Sequence, residues 1–132
     1  MMKANELRIG NFVWEEYGGL YEVLMISPNY VDLVKPFMSV SGRYDIETIK
    51  PIPLTEEWLL KFGFKEKIKN TFSSNQEVSF NIYSRGNFTF NTIQGLWWWK
   101  ERVLDNQIKY VHQLQNLYFA IIGEELTIGG QE

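Results

Sequence analysis

The sequence predicts an α+β fold: a small N-terminal antiparallel barrel or curled sheet, a short linking helix, and a C-terminal antiparallel meander with one helix packed on it. Three observations predict it. Short runs of alternating apolar and polar residues, separated by tight-turn residues, occur on both sides of Pro53. Pro51-Ile52-Pro53 breaks the strand pattern and is followed at once by a helix start. Near the end the period changes: Tyr110, Leu114, Leu117 and Ile121 recur at helical spacing. The domains drawn from this are residues 1–53, a barrel-like β module, and 54–132, a helix, the meander and a C-terminal helix. Two separate cores, one shared core, and one continuous sheet with both helices on one side all fit the same pattern.

The elements follow in order. Asn11 to Glu16 alternates, with Phe12 and Trp14 on one side. Gly18-Gly19 turns the chain at positions where positive φ costs little, and Leu20 to Ile26 resumes the apolar pattern. Ser27-Pro28-Asn29 is a second turn, Tyr30 to Lys35 a third strand, and Tyr44 to Ile49 a fourth. Arg8-Ile9-Gly10-Asn11-Phe12-Val13, then a glycine turn and Tyr21-Glu22-Val23, resembles the opening of many SH3-like barrels.

Residues 55–62 read as a two-turn helix. Thr55 is placed to cap it, Glu56 and Glu57 sit in its first turn and Lys61 in its last, as the helix dipole favours. Leu54 and Leu59 occupy the positions of a hydrophobic staple. Gly63 is placed for a left-handed stop that lets Phe64 fold back on Leu59. So short a helix needs a sheet to dock on, through Trp58, Leu59 and Phe62.

Beyond it, Glu77 to Ser84 alternates, with Val78, Phe80 and Ile82 on one side and Ser79, Asn81 and Tyr83 on the other. Arg85-Gly86 turns into Asn87 to Ile93. Leu96 to Leu104 reads as a third strand, and Asp105-Asn106 as a turn into a fourth, Gln107 to Tyr110. The final helix carries the 110–121 stripe and stops at Gly123. Glu124 to Ile128 reads as one more short element. This pattern assigns Phe12, Trp14, Trp58, Phe62, Phe80, Phe88, Phe90, Trp97, Trp99 and Tyr110 to the core. It leaves Trp98 and Tyr83 free for recognition.

Composition removes chemistries. The chain has 132 residues, no Cys and one His. Disulfides, thiol nucleophiles, thiolate metal sites and polyhistidine sites are therefore excluded. Net charge is −3, so no global basic footprint points to nucleic acid. No nucleophile elbow, phosphate loop or dinucleotide fingerprint is present. His112 lacks any partner nominated by sequence for general-base work and reads as structural. The adjacent pairs Glu15-Glu16, Glu56-Glu57 and Glu124-Glu125 do not converge as catalytic carboxylates would. The expectation is a protein that is not an enzyme, with no cofactor and no metal. No apolar run approaches the ~20 residues of a membrane span. The N-terminal ten residues lack the apolar core of a signal peptide, and cytoplasmic residence is expected.

Two surfaces carry recognition chemistry. In Trp97-Trp98-Trp99 the rings cannot share a face, and alternation along one strand groups Trp98 with Lys100 and Arg102. A Trp beside two cations is a platform for a base, a sugar or a partner's side chain; coverage by protein is the ordinary alternative. Lys65, Lys67 and Lys69 line one face of a strand over 64–70, as a phosphate contact or as an edge strand guarded against pairing.

Leu7-Arg8-Ile9-Gly10-Asn11, Pro51 to Phe64 (PIPLTEEWLLKFGF) and Ile108 to Leu126 (IKYVHQLQNLYFAIIGEEL) resemble an uncharacterised family of small proteins encoded in prophages and related mobile elements of gut bacteria. The resemblance implies an intracellular accessory protein and carries no activity, cofactor or catalytic residue. The function expected is therefore a non-catalytic binding or adaptor protein acting on a protein partner. The second reading is single-stranded nucleic-acid binding through the aromatic and basic strand faces, and an enzyme using acidic residues comes third.

Overall fold

The computed structural model describes residues 2–17, 19–36, 38, 41–73, 76–86, 88–93, 96–99, 102–103 and 108–128. Ten strands and two α-helices follow in order: β1 (Phe12–Glu15), β2 (Gly19–Ile26), β3 (Tyr30–Val34), β4 (Ser41–Asp45), β5 (Ile49–Lys50), α1 (Glu56–Lys61), β6 (Lys65–Ser73), β7 (Gln76–Arg85), β8 (Phe88–Ile93), β9 (Leu96–Trp99), β10 (Arg102–Val103) and α2 (Val111–Ile122). Strands dominate, all pairing antiparallel in two sheets, so the fold is α+β. The chain forms two compact units: Met1–Pro53 with Tyr110–Glu125, and Leu54–Lys109 with Leu126–Glu132.

The first unit is a five-stranded sheet of order β4-β3-β2-β1-β5. β4 and β5 are its two edges, so the sheet curls without closing into a barrel. Alternate residues send Val13, Tyr21, Val23, Val31, Leu33 and Ile49 into one core, which Met2 and Leu7 complete from the N-terminal segment. The strand expected over 44–49 is three elements: the end of β4, a 3-10 turn (Ile46–Thr48) and β5. Asp45 ends β4 because its carboxylate accepts the Glu47 N–H and caps that turn.

Trp14 was expected in the core beside Phe12 but is 47% exposed. Val13 takes the core side of β1 and α2 covers Phe12, which leaves Trp14 on the uncovered end of the Phe12 side. The C-terminal helix, expected on the meander, packs instead on β1 and belongs to the first unit. Its buried stripe is Val111, Leu114, Gln115 and Tyr118, with His112 beside it. Ile121, expected to face the core, is 41% exposed. The apolar period passed over Gln115, a polar residue that is fully buried.

The second unit starts with α1 as read. Thr55 Oγ1 accepts the Trp58 N–H at 3.4 Å. Gly63 (φ +90°) ends the helix: its N–H reaches Leu60 O and the Phe64 N–H reaches Leu59 O, both at 3.0 Å. Arg85 Nε donates to the Phe62 carbonyl at 2.8 Å, satisfying another orphan of the helix end. Gly63→Ala forces a side chain into the left-handed region, with Arg85 Nε 3.4 Å from the new Cβ. We expect a loss of about 1–2 kcal/mol, read as a lower urea midpoint at unchanged slope.

The meander has five strands, not four, in the order β10-β9-β8-β7-β6. The segment read as one strand over 96–104 is two, with Arg102 paired to Trp99 and Val103 to Trp98. No strand forms at Ile108–Lys109, and Tyr110 makes an isolated bridge to Pro53. Residues 125–128 hold no regular element. Asp105-Asn106, the turn expected before that strand, lies outside the described residues.

Candidate functional site

Antiparallel register decides which residues share a face, because directly opposite residues lie on the same side. Lys67 stands opposite Ile82, Ile82 opposite Asn91, and Asn91 opposite Trp98. The neighbouring rows are Lys65, Ser84 and Thr89 on one side and Lys69 with Phe80 on the other. All three lysines of β6 therefore occupy one side of the sheet. Glu66 and Glu77, the only carboxylates in these strands, occupy the other, opposite Tyr83 and Phe72. The lysine side is open near its described end: Lys65, Lys67 and Thr89 are exposed and Ile82, Ser84 and Asn91 half-buried. A cleft of about 280 Å³ there is lined by Ile82, Thr89, Phe90 and Asn91.

The opposite side carries the buried aromatics of this unit, although Ile68 on the same side of β6 is 65% exposed. Phe64 meets Phe88 and Phe90 edge-on at 6.1 and 5.5 Å between ring centres. Tyr83, expected to be free for recognition, is 2% exposed. It is drawn in because it stands opposite Phe90 and packs on that ring at 5.9 Å. Its hydroxyl donates to Glu66 Oε2 at 3.2 Å and accepts from Asn81 Nδ2 at 3.3 Å. Burial pushes the Tyr83 hydroxyl above its usual range, and a hydrogen bond to Glu66, with that residue's charge, pushes the Glu56 carboxyl up.

The structure thus brings Lys65, Lys67 and Lys69 onto one side with the register position of Trp98. The predicted grouping of Trp98 with Arg102 does not hold. That grouping needed one continuous strand, and Arg102 is registered opposite Trp99 on a separate strand. Lys100 lies outside the described residues.

Among the described residues of the first unit the exposed aromatics are Trp14, Tyr17 and Phe119; Tyr17 is 86% exposed, and Phe119 lies under Arg8. Trp14 lines a cleft of about 250 Å³ with Lys50, Pro51, Ile52 and Pro53. Sequence reasoning missed Trp14, because strand alternation alone does not say how far a helix covers a strand. A second cleft of about 260 Å³ is lined by Tyr21, Lys35, Met38, Ser41, Gly42 and Tyr44. Its two phenols meet at 3.3 Å, and that hydrogen bond is the main influence raising the Tyr44 hydroxyl.

Two buried polar residues of this unit, Asn11 and Gln115, tie its N-terminal segment to α2. Gln115 accepts the Phe12 N–H at 2.8 Å and donates to the Gly10 carbonyl at 3.0 Å. Asn11 accepts the Arg8 N–H at 2.7 Å and donates to Asn116 Oδ1 at 2.9 Å. Arg8 pairs with Glu125 and lies over the Phe119 ring at 3.9 Å. Leu7–Asn11 and the α2 region, two of the segments that carry the family resemblance, are the two halves of this clamp. His112, also buried, lies face to face with Tyr110, its ring nitrogens without a hydrogen-bond partner among the described residues. Glu6 Oε1 is 3.8 Å from Nε2, beyond hydrogen-bond reach. Burial lowers the His112 pKa, against the opposing pull of Glu6.

Among the described residues no three His, Cys, Asp or Glu gather as a metal site would need, and no helix is long and apolar enough to cross a membrane. No protein-family model, curated protein or solved structure matches the chain.

Proposed function

We propose that this is a non-catalytic binding protein that works through protein–protein contact, inside the cell, as an accessory of a mobile element. The observation that carries the reading is the aromatic surface of the first unit. Trp14 and Tyr17 are large, exposed and on the same short strand and its turn. Trp14 also borders an apolar cleft walled by two prolines. A rigid aromatic beside a preformed apolar cleft is the usual composition of an interface hot spot.

The test is side-by-side affinity capture from the native host with the natural chain and Trp14→Ala, followed by affinity measurement on any protein retained. The reading expects a protein bound by the natural chain and weakened roughly 30-fold by the substitution, which corresponds to a hot spot of about 2 kcal/mol. Trp14 is half exposed, so the thermal midpoint is expected to hold. Identical capture by both chains would remove the reading, as would turnover in a broad hydrolase screen that a single polar substitution abolishes.

A further inference from the structure

We propose that the lysine-bearing side of the meander binds single-stranded nucleic acid, a site separate from the Trp14 surface. The charge pattern comes first. Three lysines, Lys65, Lys67 and Lys69, fall on one side of β6, and both carboxylates of the meander strands fall on the other. The chain as a whole is acidic, at −3, so this side is a local positive field on a molecule that otherwise repels polyanions. Alternate residues of a strand are about 6.8 Å apart, close to twice the ~3.4 Å rise per phosphate of a stacked strand. Three lysines in line are thus spaced to meet every second phosphate.

The rows beside the lysines supply the rest of the chemistry. Lys69 stands opposite Phe80, and the Lys67 row runs through Ile82 and Asn91 to the position of Trp98. A backbone track of cations along one strand, with amide and aromatic residues across the adjoining strands, is the composition by which flat sheets hold unpaired bases. Width argues against a duplex. The four longer strands β6 to β9 span about 14 Å at the usual strand separation, wider than the ~12 Å major groove. Lysines guarding a bare edge need no segregation of carboxylates to the far side, and that segregation is what favours a ligand.

The experiment uses the full chain and a fluorescent oligothymidylate of about 16 nucleotides, followed by anisotropy from about 50 to 200 mM salt. The proposal expects binding whose logarithmic salt slope is about −2, as three phosphate contacts require. Lys65→Gln with Lys67→Gln removes two exposed charges, and is expected to weaken binding roughly tenfold or more at the low-salt end and to flatten the slope to about −0.7. Trp98→Ala is expected to cost at least about fivefold, and Trp98→Phe, which keeps a ring, less. The Lys50→Gln and Trp14→Ala chains should bind as the natural chain does, so failure here and failure of the protein-partner reading are told apart. No binding at 50 mM salt overturns the proposal. So does binding unchanged by the double lysine substitution, or equal displacement of the oligonucleotide by duplex DNA or polyglutamate.

Discussion

Replacing Gln115 with Leu is expected to cost about 2–5 kcal/mol of stability, although it puts an apolar side chain into a buried site. The Gln115 amide accepts from the Phe12 N–H and donates to the Gly10 carbonyl, and it stands within 3.4 Å of the Asn11 side-chain nitrogen. Leu fills the volume and satisfies none of these. Each main-chain group left without a partner at a buried site costs about 1–3 kcal/mol. A domain of this size holds about 5–15 kcal/mol in all, so the loss is a large fraction of it. The measurement is urea unfolding, alongside Gln113→Ala two residues earlier. Gln113 is half-buried and accepts the Tyr110 N–H at 3.0 Å, so its replacement should cost less than that of the fully buried Gln115. A Gln115→Leu chain within 0.5 kcal/mol of the natural one would mean the amide is not what fastens α2 to β1.

Stability of the first unit should begin to fall below about pH 6.5, because of His112. Its folded pKa is depressed, chiefly by burial. The unfolded chain therefore takes up a proton at its ordinary pKa of about 6.5 while the folded chain resists. The sign is that of a depressed group: the contribution is complete above about 6.5 and is lost as pH falls from there toward the folded pKa. The slope is about 1.4 kcal/mol per pH unit for one proton. His112→Phe keeps a ring against Tyr110 and removes the titration. Its stability should be flat where the natural chain's declines, between about pH 6.5 and the onset of carboxylate protonation. Parallel curves for the two chains through that interval would show that another group is responsible.

Local signals in the sequence carried the local structure. Thr55, Gly63 and Phe64 announce α1 and its end because capping is chemistry between residues a few positions apart. The alternation of β1 to β3 was legible for the same reason. What the sequence hid depends on partners distant along the chain. Nothing near Leu114 says that its helix docks on β1. Gln115 and His112 look like breaks in an apolar stripe until the partners of Gln115 come from residues 10 to 12. Tyr83 appeared free because Ile82 and Phe80 are the more apolar neighbours, yet register against Phe90 decides which side is covered. The lysine alternation over 65–69 was visible, but its alignment with Asn91 and Trp98 needed the pairing of four strands.

The order in which the chain is made gives the α2 clamp a kinetic meaning. Phe12 N bonds to a residue 103 positions later, and Arg8 to one 117 positions later. Between them lies the whole stretch from Leu54 to Lys109, the bulk of the second unit. A ribosome releases the first sheet long before it releases the helix that satisfies Gly10, Asn11 and Phe12. The sheet must then wait with one side bare while the intervening unit is synthesised, and long-range closure of this kind is slow. The exit and return points sit side by side, with Leu54 N bonded to Lys109 O and Val111 N to Ile52 O. A chain in which a short linker replaces residues 54–109 should therefore still close its clamp, and should do so faster than the natural one.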